Sequence, residues 1–263
     1  MKTAQKLFVT LAALAVFSAL IKEVLRFARI WLQTIVPPAV TMSLYFVIFG
    51  NLIGSQIGDM GGYHYIDYIA PGLIMMAVIT NSYANVVSSF YGSKFQRYVE
   101  ELLIAPIPHS LILLGYISGG VARGLIVGIM VTLVAAFFID LHIHSILVAA
   151  SVMLLTSILF SLGGFINAVF AQSFDDITII PTFVLTPLTY LGGIFYSVSM
   201  LPEFWQHVSH ANPILYMINA FRFGMLGVSD ISLGTAYIVI LVFIALLYSY
   251  SLWLLKHGVG LRG

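Results

Sequence analysis

The side chains that could do acid–base, metal or phosphate chemistry are few in this sequence, and their spacing favours no catalytic site. Four of the seven histidines gather in predicted loops at one face of the protein, where we expect surface histidines rather than a metal site. They are His142, His144, His207 and His210. The HExxH motif of a zinc protease is absent, and no lysine stands in the GxxxxGK[ST] loop that holds nucleotide phosphates. We therefore predict no catalytic residue, no metal and no cofactor, and we expect any ATP to be bound by another chain.

The composition is that of a membrane protein. Of the 263 residues, 60% are hydrophobic and 8% are charged, with a mean hydropathy of +1.04, whereas a soluble domain has about a quarter charged residues. No polar stretch is long enough to build a second core, so we predict one unit over residues 1–263. The absence of cysteine excludes disulfides and thiolate chemistry, and the net charge of +1 gives no indication of a nucleic-acid partner.

The elements that must position any functional residue are membrane spans. A helix needs about 20 apolar residues to cross the hydrocarbon core, and six stretches meet that need. They are residues 34–53, 67–90, 111–138, 145–171, 177–195 and 233–255. Six spans put both termini on one side, and nine of the eleven Lys and Arg residues fall on that side, which the positive-inside rule assigns to the cytoplasm. We therefore predict an all-α, polytopic protein of a bacterial inner membrane, with six transmembrane helices and both termini in the cytoplasm.

The N-terminal residues 1–33 are predicted to form an amphipathic helix at the cytoplasmic interface. Lys22, Arg26, Arg29 and Gln33 follow one another at spacings of four, three and four, which makes one polar stripe along a helix. A cleaved secretory signal over residues 1–21 is the alternative interpretation. Cleavage would leave these basic residues on the outer face, against the positive-inside rule.

The third span carries small residues at four-residue intervals and one arginine. Such spacing allows close helix packing in lipid, either within one chain or between two copies. Arg123 is a candidate buried functional charge, and the alternative is that its long stem reaches the cytoplasmic headgroups. The small residues are Gly115, Gly119, Gly120, Gly124 and Gly128.

Polar residues share one helical face in the second span and another in the fifth. They could bond neighbouring helices and the carbonyls freed by Pro181 and Pro187, or they could line a translocation path. The candidate path residues are Asn81, Asn85, Thr182, Thr186, Thr189 and Tyr190. Beyond the fifth span, residues 195–230 are too interrupted by Gly and Pro for one spanning helix and too apolar for a free loop. We predict short re-entrant helices there at the outer face, with Trp205 as an interface anchor.

The cytoplasmic stretch "SKFQRYVEELLIAPIPHS", residues 93–110, is predicted to contain a short amphipathic helix that begins at Lys94. Its apolar residues recur at i, i+3, i+4, i+7 and i+8. They are Phe95, Tyr98, Val99, Leu102 and Leu103. Pro106 and Pro108 end the helix. Because the polar face has both charge signs, whereas lipid-binding helices are rich in Lys and Arg, docking in a protein groove fits better than binding to lipid.

The sequence resembles the membrane subunit of a type-2 ABC exporter over nearly its whole length. The resemblance rests on "EELLIAPIP" after the second span and on "PLTYLGGIFY", "LP", "NPILY" and "FR" before the sixth. It implies that residues 93–108 are a coupling helix seated in a groove of a cytoplasmic ATPase. It also implies two permease chains, two ATPase chains, an N-terminal connecting helix, and a path between the protomers lined partly by spans two and five. The coupling role would be carried by Lys94, Phe95, Arg97, Tyr98, Glu100, Glu101, Leu102 and Pro106.

We therefore expect the homodimeric permease subunit of an ATP-driven exporter that moves an amphipathic or apolar small molecule outward by alternating access. Its expected partners are the ATPase, a second copy of itself and membrane lipid. Export of a glycan or lipid-linked saccharide is the alternative within transport, and a passive channel or membrane scaffold is the alternative outside it. An inverted-repeat secondary carrier is less well supported, because the two halves show no matching interruption and the ten acids lie at span ends or in loops.

Overall fold

The computed structural model describes residues 18, 21–26, 28–104, 107–141 and 143–260. Most of these residues are helical, and within the described residues five helices are long and apolar enough to cross a membrane. They are Trp31–Gly50, Tyr65–Phe95, His109–Ala135, Ile146–Phe170 and Leu233–His257. These five overlap five of the six predicted spans, so the prediction of a mostly helical, polytopic protein is confirmed.

The elements are named in chain order, beginning at Trp31. Helix α1 (Trp31–Tyr45) runs on as a π-helix (Phe46–Ile53) into α2 (Gly54–Ile57), and the strands β1 (Asp59–Met60) and β2 (Tyr63–His64) follow. The next helices are α3 (Tyr65–Phe95), α4 (Tyr98–Ile104), α5 (His109–Ala135) and α6 (Ile146–Phe170). Then come α7 (Asp176–Ile180), a π-helix (Pro181–Leu185), α8 (Thr186–Tyr190), α9 (Glu203–His210), α10 (Pro213–Leu226) and α11 (Leu233–His257).

The predicted fifth span, residues 177–195, is a shorter run of helical turns. Helix α7, the π-helix and α8 have five residues each and follow one another without a gap. Fifteen residues extend about 22 Å, short of the about 30 Å of a hydrocarbon core. The run ends before Gly193, whose φ of +75° is the left-handed conformation that glycine adopts most readily. Six spans therefore stay a prediction.

A small antiparallel hairpin is the exception to the helical prediction. Strands β1 and β2 pair Asp59 with His64 and Met60 with Tyr63. The turn between them is made by Gly61 and Gly62, both with positive φ. Tyr63 fixes the hairpin to the C-terminal end of α10, because its hydroxyl donates to the Leu226 carbonyl at 2.6 Å. This end of the bundle is called the hairpin end below.

The core lies where α3 packs against α5 and α6, and glycines make this close approach possible. A Cβ at Gly164 of α6 would lie 2.6 Å from the Tyr83 carbonyl oxygen of α3, and one at Gly128 of α5 would lie 2.7 Å from Val78. The five small residues of the third span are all buried inside the single chain. Their spacing thus serves packing within the chain, the first of the two interpretations given for it.

Residues 195–230 do contain short helices, as predicted. A 3₁₀ turn (Val198–Met200) precedes α9 and α10. Asn212 caps α10 by accepting from the Ile214 N–H at 3.0 Å, and its own amide donates to the Leu188 carbonyl of α8 at 2.6 Å. This bond ties α10 to the end of the fifth predicted span. That these helices re-enter the membrane stays a prediction.

Candidate functional site

The predicted cytoplasmic helix does not begin at Lys94. Lys94 and Phe95 are the last residues of α3, and α4 begins at Tyr98. Arg97 separates the two helices with a φ of +62°, the left-handed conformation that non-glycine residues seldom adopt. The prediction of one continuous helix from Lys94 was wrong. The apolar residues keep their helical spacing across Gln96 and Arg97, so the spacing does not show that the helix is interrupted there.

Lys94 binds the end of another helix instead of facing solvent. Its Nζ donates to the Val169 carbonyl at 2.6 Å and to the Ala171 carbonyl at 2.8 Å. These carbonyls stand at the C-terminus of α6, where the helix dipole favours a cation. Lys94 therefore joins the end of α3 to the end of α6.

Helix α4 has a buried face and an exposed face. Val99 is 2% exposed, and Leu102 lines a cavity of about 190 Å³ with Ile107 and Tyr116. The exposed residues at and beside α4 are Phe95, Gln96, Arg97, Tyr98, Glu100, Glu101 and Ile104. Together with Phe174 they are called the α4 surface below. Of the predicted coupling residues, Leu102 thus faces inward, and Pro106 lies outside the described residues.

Phe174 joins the α4 surface from the turn between α6 and α7. Its ring lies 5.2 Å from that of Phe95 and 4.9 Å from that of Tyr91. Asp176 holds this turn, because its Oδ2 accepts from the backbone N–H groups of Gln172 and Ser173 at 2.9 and 3.0 Å. These hydrogen bonds lower the pKa of the Asp176 carboxyl below its ordinary value. No sequence pattern indicated Phe174, because it approaches Phe95 only in the folded chain.

The candidate path residues Asn81 and Asn85 face basic residues. Asn81 Oδ1 accepts from Arg123 Nη2 at 3.2 Å, and Asn85 Oδ1 accepts from Arg26 Nη2 at 2.9 Å. Arg123 is the fifteenth residue of the 27-residue α5, about 20 Å from either end. The hydrocarbon half-thickness of about 15 Å exceeds the length of an arginine side chain, so the position favours a buried charge over a side chain that reaches the headgroups.

The N-terminal helical segment, of which residues 21–26 and 28–29 are described, packs against α3 and α5 rather than presenting one polar stripe to solvent. Glu23 is 4% exposed, and its Oε2 accepts from Arg26 at 3.0 Å while its Oε1 accepts from Ser89 at 2.6 Å. Lys22 and Arg29 are exposed, as the stripe predicts. Residues 1–17, 19, 20 and 27 of the predicted interfacial helix lie outside the described residues.

The candidate path residues of the fifth predicted span divide into bonded and exposed ones. The Thr186 and Thr189 hydroxyls donate to the Pro181 and Leu185 carbonyls at 2.9 and 2.5 Å, so they satisfy backbone groups of their own helix. Asn167 of α6 supplies another such bond by donating to the Ile177 carbonyl at 3.2 Å. In a regular helix this carbonyl would accept from the N–H of residue 181, but Pro181 has no N–H. Thr182 and Tyr190 are exposed. The structure therefore brings Asn81 and Asn85 to basic side chains and leaves Thr182 and Tyr190 on the surface.

Arg222, which the predicted spans put on the outer side, is 1% exposed at the hairpin end. Its Nη2 donates to the Gly193 carbonyl at 2.6 Å and its Nε to the Tyr68 carbonyl at 3.3 Å, while the guanidinium lies 4.1 Å from the Tyr68 ring centroid. It borders a cavity of about 450 Å³ that also contains Asp230. Of the predicted surface histidines, His144, His207 and His210 are exposed, and His142 lies outside the described residues.

A family model for the ABC-2 type transporter matches residues 15–226. The chain belongs to the ABC-2 type transporter family. It is 59% identical over 241 residues to the inner membrane transport permease YadH of Escherichia coli (strain K12), covering 92% of this chain and 94% of that protein. It is also 29% identical over 185 residues to nodulation protein J of Sinorhizobium fredii, covering 70% of each. Nodulation protein J of Rhizobium leguminosarum bv. viciae is 24% identical over 212 residues, covering 80% of this chain and 82% of that protein.

The family match identifies what the sequence motifs before and after the predicted spans belong to. The resemblance to a type-2 ABC permease is confirmed, and the chain is the membrane subunit of a transporter. Membership implies an ATPase partner.

Proposed function

We propose that the chain is the permease subunit of an ATP-driven exporter in a bacterial inner membrane. Two copies work with two cytoplasmic ATPase chains and move an amphipathic or apolar small molecule outward by alternating access. The termini and the α4 surface face the cytoplasm in this arrangement. The relation to a relative named an inner membrane transport permease supports the membrane assigned.

The α4 surface is the observation that carries the proposal. Ile104 is 84% exposed and Phe95 is 66% exposed, and both stand beside the exposed charges of Arg97 and Glu100. A surface with large apolar side chains and charges of both signs suits a protein groove better than a lipid surface, which favours Lys and Arg.

Two contacts could transmit a movement of α4 to the helix bundle. Val99 anchors α4 in the core, and Lys94 ties the preceding helix end to α6. Reversing a two-state equilibrium from 1:99 to 99:1 needs about 5.5 kcal/mol of bias, which ATP-driven closure of the ATPase pair would supply through these contacts.

Exposed polar groups support a second copy beside the fifth predicted span. Thr178, Thr182 and Tyr190 are exposed along α7, the π-helix and α8, although the Thr178 hydroxyl donates to the Asp175 carbonyl. Polar groups at membrane depth are costly against lipid tails, so a path or a second protomer is the better neighbour for this face.

A pair of matched substitutions tests the proposal. Ile104→Asp places a charge in the expected groove, and Phe137→Asp places the same charge on a residue that is 87% exposed after α5, at the hairpin end. In complexes purified in mild detergent and reconstituted in vesicles, Ile104→Asp should lower ATPase recovery and substrate-stimulated ATP turnover at least tenfold, while Phe137→Asp should leave ATPase recovery unchanged. Equal ATPase recovery by both variants would refute the assigned surface.

A further inference from the structure

Two guanidinium groups and one carboxylate meet beside α3, which leaves one positive charge without a counter-charge; the Glu23 side chain is 5% exposed and the Arg26 side chain 34% exposed. Arg26 binds Asn85, and Arg123 binds Asn81, one helical turn away on α3. These two hydrogen bonds bring the guanidinium groups to adjacent turns of α3. Glu23 is the carboxylate beside them among the described residues, and both its oxygens already accept hydrogen bonds.

No other carboxylate of the described chain is placed to balance this charge. The remaining acids lie in loops, in the hairpin or in the first turns of helices. A second copy would therefore bring no mid-depth acid apart from its own Glu23. A positive charge in the protein interior without a counter-charge is unfavourable, so the site favours an anion from outside the protein.

Unused hydrogen-bond donors point to the same kind of ligand. Arg123 Nε and Asn85 Nδ2 are buried without a hydrogen-bond partner within the described residues, and the Ser82 hydroxyl nearby is also without one. An amide nitrogen and a guanidinium can only donate, so the missing partner is an acceptor. Arg123 itself keeps some exposure, and the exposed residue one turn along α5 is Ile126.

We propose that Arg26 and Arg123, held on adjacent turns of α3 by Asn85 and Asn81, form a binding site for one anionic group on an apolar body. A carboxylate, phosphate or sulfate oxygen would accept from the two guanidinium groups. The neighbouring apolar residues and lipid would surround the body. That the occupant is the exported molecule rests on the proposed function, whereas the anion site itself does not.

Binding of radiolabelled dodecanoate at pH 8.5 tests the site in phosphatidylcholine nanodiscs that contain the purified chain without ATPase or ATP. Binding should saturate, and dodecanol, which has the same apolar body without the charge, should compete at least tenfold less well. Arg123→Gln should weaken dodecanoate binding at least tenfold, about 1.4 kcal/mol. Arg123→Lys should retain most of the affinity, and Arg29→Gln, an exposed residue on the same helical segment as Arg26, should bind as the parent does.

Thermal unfolding of each variant is measured alongside, so that a misfolded protein is recognised. If Arg123→Gln does not fold, Arg123→Lys, which keeps the positive charge, is compared with the parent instead. Equal binding by Arg123→Gln, equal competition by dodecanol, or binding that does not saturate would overturn the site. The anionic group could belong to a membrane lipid or to a free amphiphile, and nanodiscs with about a third phosphatidylglycerol, an anionic lipid, distinguish the two. Loss of dodecanoate binding in these nanodiscs identifies a membrane lipid as the occupant, and unchanged binding identifies a free amphiphile. Because neither ATP nor transport enters the assay, a negative result leaves the proposed export function standing.

Discussion

Lys94 offers a direct test of whether the cytoplasmic end of the bundle is held as the structure describes. Lys94→Met keeps the apolar stem but removes two charged hydrogen bonds to the Val169 and Ala171 carbonyls, which are 2.6 and 2.8 Å long. A hydrogen bond from a charged group contributes about 1.5–3 kcal/mol, and a cation at a helix C-terminus adds about 0.3–1 kcal/mol. Because Lys94 is partly exposed and water can reach carbonyls at a helix end, we expect a total loss of about 2 kcal/mol.

The assay is thermal unfolding of the detergent-solubilised chain, with hydrogen exchange of the α6 C-terminus as a local probe. A loss of this size corresponds to a fall of about 4–8 °C in Tm, and the last turn of α6 should exchange faster. Arg97→Met is the matched control, because it also removes a cation from this end of the bundle but changes an exposed side chain. The reasoning is refuted if Lys94→Met unfolds at the parental Tm, or if Arg97→Met loses as much stability.

Three further outcomes follow from single contacts. Gly164→Ala should destabilise by about 1–3 kcal/mol because its new Cβ meets backbone, whereas Gly163→Ala, which meets the Tyr83 ring at 3.7 Å, should be neutral or slightly stabilising in the same unfolding assay. The Asp176 pKa is lowered in the folded chain, so its stabilisation of the turn is present above about pH 4 and is lost as the pH falls below that value. Asp176→Asn should abolish this dependence, measured as hydrogen exchange of the turn between pH 6 and pH 3. Arg222→Lys should lower Tm despite keeping the charge, because a lysine cannot donate to two carbonyls from one planar fork; an unchanged Tm would contradict the assigned contacts.

The five long helices could be predicted from hydropathy alone, because burial in lipid imposes the same requirement on every residue of a span. The break at Arg97 could not. Its left-handed backbone follows from where the two helices are fixed, by Lys94 on α6 and by Val99 in the core. Amphipathic spacing carries no information about such distant anchors.

The partners of the buried charges could not be predicted from local sequence patterns either. Glu23 accepts a hydrogen bond from Ser89, 66 residues away in the sequence, and Arg222 donates to the Tyr68 carbonyl, 154 residues away. Such partners are brought together only by the packing of whole helices. Position relative to the predicted spans therefore put Arg222 on the outer side, although the folded chain buries it.

Site-specific crosslinking from Ile104 tests the central claim that α4 seats in a separate ATPase. The chain has no cysteine, so Ile104→Cys gives a single reactive thiol without background. A thiol-directed crosslinker at this position should join the chain to a polypeptide that photolabels with azido-ATP, and Phe137→Cys should give no such product. The account is contradicted if the Ile104→Cys chain, inserted and reactive, captures no ATP-binding polypeptide while the purified chain alone moves its cargo against a gradient.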